Sequence, residues 1–219
     1  LKKDSRYHSF QILKKYFDSS QYAQDIIDNF FNSHKISIQG RNYINNLVLG
    51  VIRNKGKFDF ILNDLYDGNY SKLKSGIKYI LYIGLYQLDH LNAAPNHAAV
   101  SISVDIAKLR YKGLDKLVNA ILRSYLKKKH KYVLDENVKD TYRLLSHPIW
   151  LLDRWINNYG YKKTLDICDF NNQEQTIWFR INHLRYKKEI ISYVLNNNDN
   201  INFHQLHELF FNVKNTKKL

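Results

Sequence analysis

Between Ile77 and Leu88, apolar positions fall at Ile77, Ile80, Leu81, Gly84, Leu85 and Leu88, the spacing of one helical face. Tyr79, Tyr82 and Tyr86 add a second apolar face, so little of this helix is suited to water. A helix apolar nearly all round has to lie inside a bundle, with other helices packed about it. Gly84 in mid-helix costs about 1 kcal/mol against alanine, which predicts a close neighbouring backbone there. The turn LNAAPNH then sets Pro95 at a helix start, where its missing N–H costs nothing. That helix runs to about Arg110 and is rich in Ala and Val. The next, from about Leu114 to Lys128, keeps Leu114, Leu117, Val118, Ile121, Leu122 and Tyr125 at core spacing. Lys116, Asn119, Ala120, Arg123 and Lys127 share its opposite, basic side.

The flanking chain supplies the required neighbours. Ser5–Phe17 reads as a helix with Phe10, Leu13 and Phe17 inward, and Gln21–His34 as a second with Ala23, Ile26, Ile27, Phe30 and Phe31 inward. A third carries Ile44, Leu47, Val48, Val51 and Ile52. A short fourth spans Phe58–Tyr66, and Ser71 in the turn DGNYS is an expected N-cap of the central helix. Beyond the charged linker KKKHKYVLDENVKD, Ser146-His147-Pro148 opens a helix with Trp150, Leu151 and Trp155 on its apolar face. Tyr159-Gly160 closes it. Tyr161–Phe170 also reads as helical, TIWFRIN as the one convincing strand, and Tyr186–Leu195 as a helix. The expected fold class is mainly α: a helical bundle over 1–131, a helical linker block over 132–172 and a partial α/β unit over 173–219.

Composition narrows the function. With 44% hydrophobic residues, 2 Pro and 8 Gly in 219 residues, the chain reads as globular and helical rather than linker-rich or all-β. No apolar run reaches the ~18–20 residues of a membrane span, and LKKDSRYHSF has no signal-peptide core. One cysteine, Cys168, allows no internal disulfide and fits a reducing, cytoplasmic setting. The net charge is +14, and its excess is local. From Lys108 to Lys131 the chain carries Lys108, Arg110, Lys112, Lys116, Arg123, Lys127, Lys128, Lys129 and Lys131 against Asp115 alone. Clustered cations are the footprint of a polyanion partner, the bland alternative being a solvated lysine-rich surface. The apolar faces are consumed by the bundle, so a membrane-surface role is not expected.

The segments GLYQL, PNHAAV and LVNAILR, in this order, resemble the NusB-like RNA-binding domain. HPIWLLDRW and WFRIN resemble the segment next to that domain in the Sun/Fmu (RsmB) family of ribosomal RNA cytosine-C5 methyltransferases. The resemblance extends from about Tyr7 to Asn182. It implies a NusB-like all-helical bundle that grips small-subunit ribosomal RNA for a methyltransferase domain. Charge placement and resemblance together nominate Arg6, Arg41, Arg53, Lys108, Arg110, Lys112, Lys116, Asn119, Arg123, Lys127 and Lys128 as RNA contacts. Arg6 and Arg53 have bland readings too, an ordinary exposed arginine and a charge at a helix C-terminus, and Asn119 reads equally as a tie within the bundle. His97 lies in the PNHAAV motif as a cap, a packing residue or an RNA contact. One departure concerns Ile102, where relatives often carry an acidic residue, so any polar contact made there is not expected here.

The family's enzymes use S-adenosylmethionine and a cysteine in a Pro-Cys motif, but no glycine-rich cofactor turn occurs in these residues. Cys168 stands between aspartates in LDICDF, and neighbouring negative charge opposes a thiolate. His90 and His97 have no Cys/His cluster around them, so no metal is expected. The chain is therefore expected to bind rather than catalyse, with no catalytic residue, cofactor or metal of its own. The alternative is a free-standing antitermination factor that binds boxA-type RNA with a ribosomal-protein partner. HPIWLLDRW and WFRIN speak against it.

Overall fold

In the computed structural model, which describes residues 4–91, 95–133, 141–173, 178–180, 182, 192, 201–204 and 207–213, the chain divides into two compact units, Leu1–Asn172 and Gln173–Leu219. The protein is mainly α. The first unit contains α1 (Ser5–Phe17), α2 (Ala23–Ser33), α3 (Ile38–Arg53), α4 (Lys55–Leu65), α5 (Ser75–His90), α6 (Asn96–Arg110), α7 (Asp115–Lys128), α8 (Ile149–Tyr159) and α9 (Tyr161–Asn172). Helix α5 is the axis of the bundle. It is buried without a break from Gly76 to Leu88 save Lys78, and it packs against α1, α3, α4, α6 and α7. The aromatic face foreseen at Tyr79, Tyr82 and Tyr86 is buried as well.

Local chemistry sets several boundaries. The Asp4 carboxylate accepts from Arg6 N at 2.7 Å to cap α1, and Ser37 Oγ accepts from Gly40 N at 3.2 Å to cap α3. Helix α4 starts three residues earlier than its apolar pattern suggested, because one buried residue, Asn54, ends α3 and begins α4. Its Nδ2 donates to Gly50 O at 3.0 Å. Ser71 does not cap α5. It lies in a 3-10 turn, Tyr70–Lys72, itself capped by the Asn69 side chain, and α5 begins at Ser75 with no side-chain cap. Gly84 does admit a close neighbour, but the neighbours are side chains rather than backbone. A Cβ there would stand 2.7 Å from a Leu122 methyl and 3.1 Å from Ser103 Oγ. Gly50 of α3 receives the ring of Tyr86 in the same way.

Two carboxylates, Asp59 partly exposed and Asp89 buried, tie α5 to its surroundings. Asp59 of α4 accepts from the Tyr70 and Tyr82 hydroxyls and pairs with Lys55 at 2.5 Å. Burial, then the bond to Asp59, raises the Tyr82 pKa far above the ordinary phenol range, so it stays a donor. Asp89, near the end of α5, pairs with Lys57 of α4 at 2.8 Å and with Lys129 beyond α7 at 3.1 Å, and it accepts from the Tyr125 hydroxyl of α7. Burial pushes the Asp89 pKa up, but Lys57, with Tyr125 and Lys129, outweighs it and holds the carboxyl below its ordinary value.

Leu144 packs into the bundle core, and a hydroxyl beside it latches the helical block to α4. Ser146 adopts a positive φ of 56°, and its Oγ accepts from Lys57 N at 2.8 Å, so a residue 89 positions away caps the first turn of α4. Gly56 makes room: a Cβ there would lie 3.1 Å from Ser146 Cα. Pro148 opens α8 and Gly160, at φ 79°, ends it. The small core between α8 and α9 is Leu145, Leu152 and Cys168, with Trp155 and Leu165 against it. Trp155 packs inward as expected, whereas Trp150, expected on the same face, is 66% exposed, because Leu152 takes the buried position.

In the second unit, β1 (Trp178–Arg180), β2 (Ile201–His204) and β3 (His207–Val213) form an antiparallel sheet in the order β1-β3-β2. Phe179 pairs with Phe211, whose ring stacks on it at 5.5 Å, and Phe203 occupies the matching register on the other side. Strand β1 falls within the TIWFRIN expectation, while β2 and β3 were not foreseen. The helix expected over Tyr186–Leu195 lies outside the described residues except for Ser192.

Candidate nucleic-acid interface

Helices α6 and α7 are joined by a tight turn in which Gly113 takes φ 86°. Tyr111 anchors that turn: its ring fills the space beside Gly76 of α5 and meets Phe10 of α1 edge-on at 6.3 Å. The chain reverses there, so the start of α6 and the end of α7 lie side by side. Val118, Ile121, Leu122 and Tyr125 of α7 are buried, whereas Lys116, Arg123, Lys127 and Lys128 are exposed on its outer side. Lys108 and Arg110 in the last turn of α6, and Lys112 in the turn, are exposed beyond them. None of these seven cations forms an ion pair among the described residues.

A groove of about 460 Å³ runs between the two helices. Val100 and Val104 of α6 and Leu126 of α7 give its apolar walls, while His97, Ser101, Asn119 and Arg123 give its polar ones. Arg123 Nε donates to Asn119 Oδ1 at 3.0 Å across one helical turn. The sequence thus placed Asn119 and Arg123 correctly on one face but did not reveal the groove. Ser101, Val104 and Leu126 carry no signal on their own, because a groove needs two helices. His97 was marked only by its motif. Ile102, the departure from the family pattern, is half-buried against the core.

The remaining candidates lie elsewhere and are engaged. Arg6 Nε donates to Gln87 Oε1 at 2.6 Å and to Tyr43 OH at 3.2 Å, and its Nη1 lies 3.5 Å from Asp4. Its side chain is 18% exposed, so it joins α1 to α3 and α5. Arg41 donates to Phe31 O and Ile36 O and lies over the Phe31 ring at 5.2 Å, closing the C-terminal end of α2. Arg53 is half-buried in the last turn of α3, where its charge complements the carbonyl end of the helix.

Chemistry of other kinds finds little here. Burial pushes the Cys168 thiol up to about 11, so the residue is neutral for a different reason than its flanking aspartates, which are exposed. No group of three or more His, Cys, Asp or Glu able to hold a metal occurs among the described residues. Six of the eight glycines are filled by a neighbouring residue, and Gly113 and Gly160 stand singly beside helix ends. No helix of the described residues is long and apolar enough to cross a membrane.

The sequence profile of the NusB family matches residues 3–127, more than half of the chain. The chain belongs to the NusB family. A second profile, the Methyltr_RsmF/B-like, ferredoxin-like domain, matches residues 147–208, which take in α8 and α9 as well as β1 and β2. The NusB-family bundle is therefore joined in one chain to a domain of RsmF/B type. Among curated relatives, the probable ribosomal RNA small subunit methyltransferase B of Synechocystis is 32% identical over 83% of this chain and 41% of its own length. The corresponding Bacillus subtilis protein is 29% identical over 81% of this chain and 40% of its own length. The ribosomal RNA small subunit methyltransferase B of Escherichia coli K12 is 28% identical over 71% and 35%. The chain spans about two fifths of the length of these relatives. The crystal structure of PH0851 matches 98% of this chain and 49% of its own, with a TM-score of 0.58 at 13% identity, a likeness of fold alone.

Proposed function

We propose that this chain is the RNA-binding portion of a small-subunit ribosomal RNA (cytosine-C5) methyltransferase. The observation that carries the reading is the pairing of a NusB-family bundle with an RsmF/B-like ferredoxin-like domain in one chain. A free-standing antitermination factor has no need of the second domain. In this reading residues 1–131 grip the RNA, and the RsmF/B-like segment over 147–208 leads toward the methyltransferase domain. That domain would supply S-adenosylmethionine binding and the cysteine nucleophile.

The electrostatics support the same reading. The cations of α7 and of the α6–α7 turn are exposed and free of acidic partners among the described residues, so no internal pair has to break before a phosphate is met. Binding carried by such contacts releases counterions, and log K falls linearly with log salt by ~0.7 per neutralised phosphate on single strands. Contacts of this kind position RNA without reading its sequence.

The test is fluorescence anisotropy across a salt series with a small-subunit rRNA hairpin, a boxA-like single strand and a shuffled hairpin. The hairpin is expected to bind tightest. Replacing Lys116, Arg123 and Lys127 together by alanine should flatten its salt slope by about 2. Equal binding of the shuffled hairpin would sink the ribosomal assignment. Preference for the single strand, strengthened by a ribosomal protein, would instead favour antitermination.

A further inference from the structure

We infer that the groove between α6 and α7 is a nucleobase subsite, which takes one unpaired base of the bound RNA. The inference rests on the RNA-binding reading and deepens it: the helix pair reads a base in addition to neutralising phosphates. The aliphatic walls, Val100 and Val104 facing Leu126, suit the flat apolar face of a base rather than a phosphate. The volume, about 460 Å³, falls within the range of small-molecule sites, which combine apolar walls with a few placed polar groups. Among the described residues of the lining His97 is the one aromatic ring, and it offers a stacking surface.

The polar groups are of the kind that reads a base edge. Asn119 spends Oδ1 on Arg123 Nε, a bond that orients both side chains at once. Among the described residues Asn119 Nδ2 and the two Nη groups of Arg123 have no hydrogen-bond partner, so amide and guanidinium donors remain for a ligand. Ser101 and His97, both exposed on α6, add a hydroxyl and an imidazole from the other wall.

Charge complementarity names the occupant. Among the described residues the lining contains no acidic group. Lys116 and Lys127 stand before and after Arg123 on the same outer side of α7, at spacings of seven and four residues. They meet the phosphates on either side of a base seated at the centre. An apolar peptide would use the walls but leave this row of cations unpaired. A-form duplex hides its bases in a deep, narrow major groove, so the base must come from a loop, bulge or single-stranded end.

A binding cycle tests the idea with the full chain and the rRNA hairpin. Each unpaired nucleotide of the hairpin is made abasic in turn, and affinity is measured for the natural protein and for Ser101→Trp. That substitution fills the groove from an exposed position and leaves the charge unchanged. One abasic position is expected to weaken binding to the natural protein about tenfold. Ser101→Trp should weaken the intact hairpin to the same degree, leave the salt slope unaltered and abolish the abasic effect. Asn119→Ala should reduce the abasic effect while keeping the melting temperature of the bundle. An abasic penalty that persists in Ser101→Trp overturns the groove assignment, and so does an abasic scan with no sensitive position in a hairpin that binds with a steep salt slope. In both outcomes the RNA-binding reading stands. No binding to any RNA at low salt overturns both.

Discussion

Replacing Asp89 by asparagine removes a buried charge while keeping the shape of the side chain. The carboxylate is 5% exposed and lies 2.8 Å from a Lys57 ammonium that is 20% exposed. A hydrogen bond between charged partners contributes about 1.5–3 kcal/mol. Lys129, 48% exposed, contributes only a few tenths more, because water screens it. The Tyr125 hydroxyl can still donate to the amide oxygen, so its contribution largely survives. The expected loss is therefore about 2–3 kcal/mol at pH 7, with a fall in melting temperature of about 5–10 °C for a unit of this size.

The pH dependence sharpens that expectation. The folded Asp89 carboxyl lies below its ordinary value of 3.8, so its contribution is complete above that pH and is lost as acid titrates the folded form. Urea melts followed by helical circular dichroism at pH 7, 5, 4 and 3 give the difference between natural protein and variant. It should be constant from pH 7 to 5 and shrink below about pH 4. A difference under about 0.5 kcal/mol at pH 7, or one that grows as acid is added, would refute the reasoning.

Arg6→Ala should cost about 1–2 kcal/mol through its lost bonds to Gln87 and Tyr43. It should leave the RNA salt slope unchanged, and a flatter slope at equal stability would return Arg6 to the interface. Gly50→Ala, which would stabilise an isolated helix by about 1 kcal/mol, should instead destabilise by about 1–3 kcal/mol, because the new methyl overlaps the buried Tyr86 ring. A raised melting temperature would contradict it. Cys168, with its thiol pushed up to about 11, should resist alkylation at pH 8 in the folded protein and react fully in urea. Rapid labelling without denaturant would show the thiol to be accessible.

Helical periodicity made most of the bundle legible. The stripe through Ile77, Ile80 and Leu85 predicted α5 and its central position, and the split between Val118–Tyr125 and Lys116–Lys127 predicted the two faces of α7. What sequence did not reveal depends on distant partners. Asp89 reads as an ordinary aspartate until Lys57, Tyr125 and Lys129 converge on it from two other helices and the turn beyond α7. Arg6 read equally well as an exposed arginine, because Gln87 and Tyr43 lie 81 and 37 residues away. No loop-like stretch marks the α3–α4 boundary, because Asn54 serves both helices. Strands β2 and β3 sit in asparagine- and histidine-rich sequence without clean alternation, and only pairing with β1 gives them a reason to extend. At the candidate interface, charge located the α7 face, but the groove exists only once α6 is laid against it.

The hydroxyl of Ser146 has a further consequence. The Lys57 amide is held by a residue of another helical block, so its hydrogen-exchange rate reports on docking of that block as well as on α4 itself. Should the segment carrying α8 and α9 swing away while the bundle stays folded, Lys57 N–H would exchange early and its helical neighbours late. A single backbone proton thus serves as a native gauge of the joint between the bundle and the helical block beyond it.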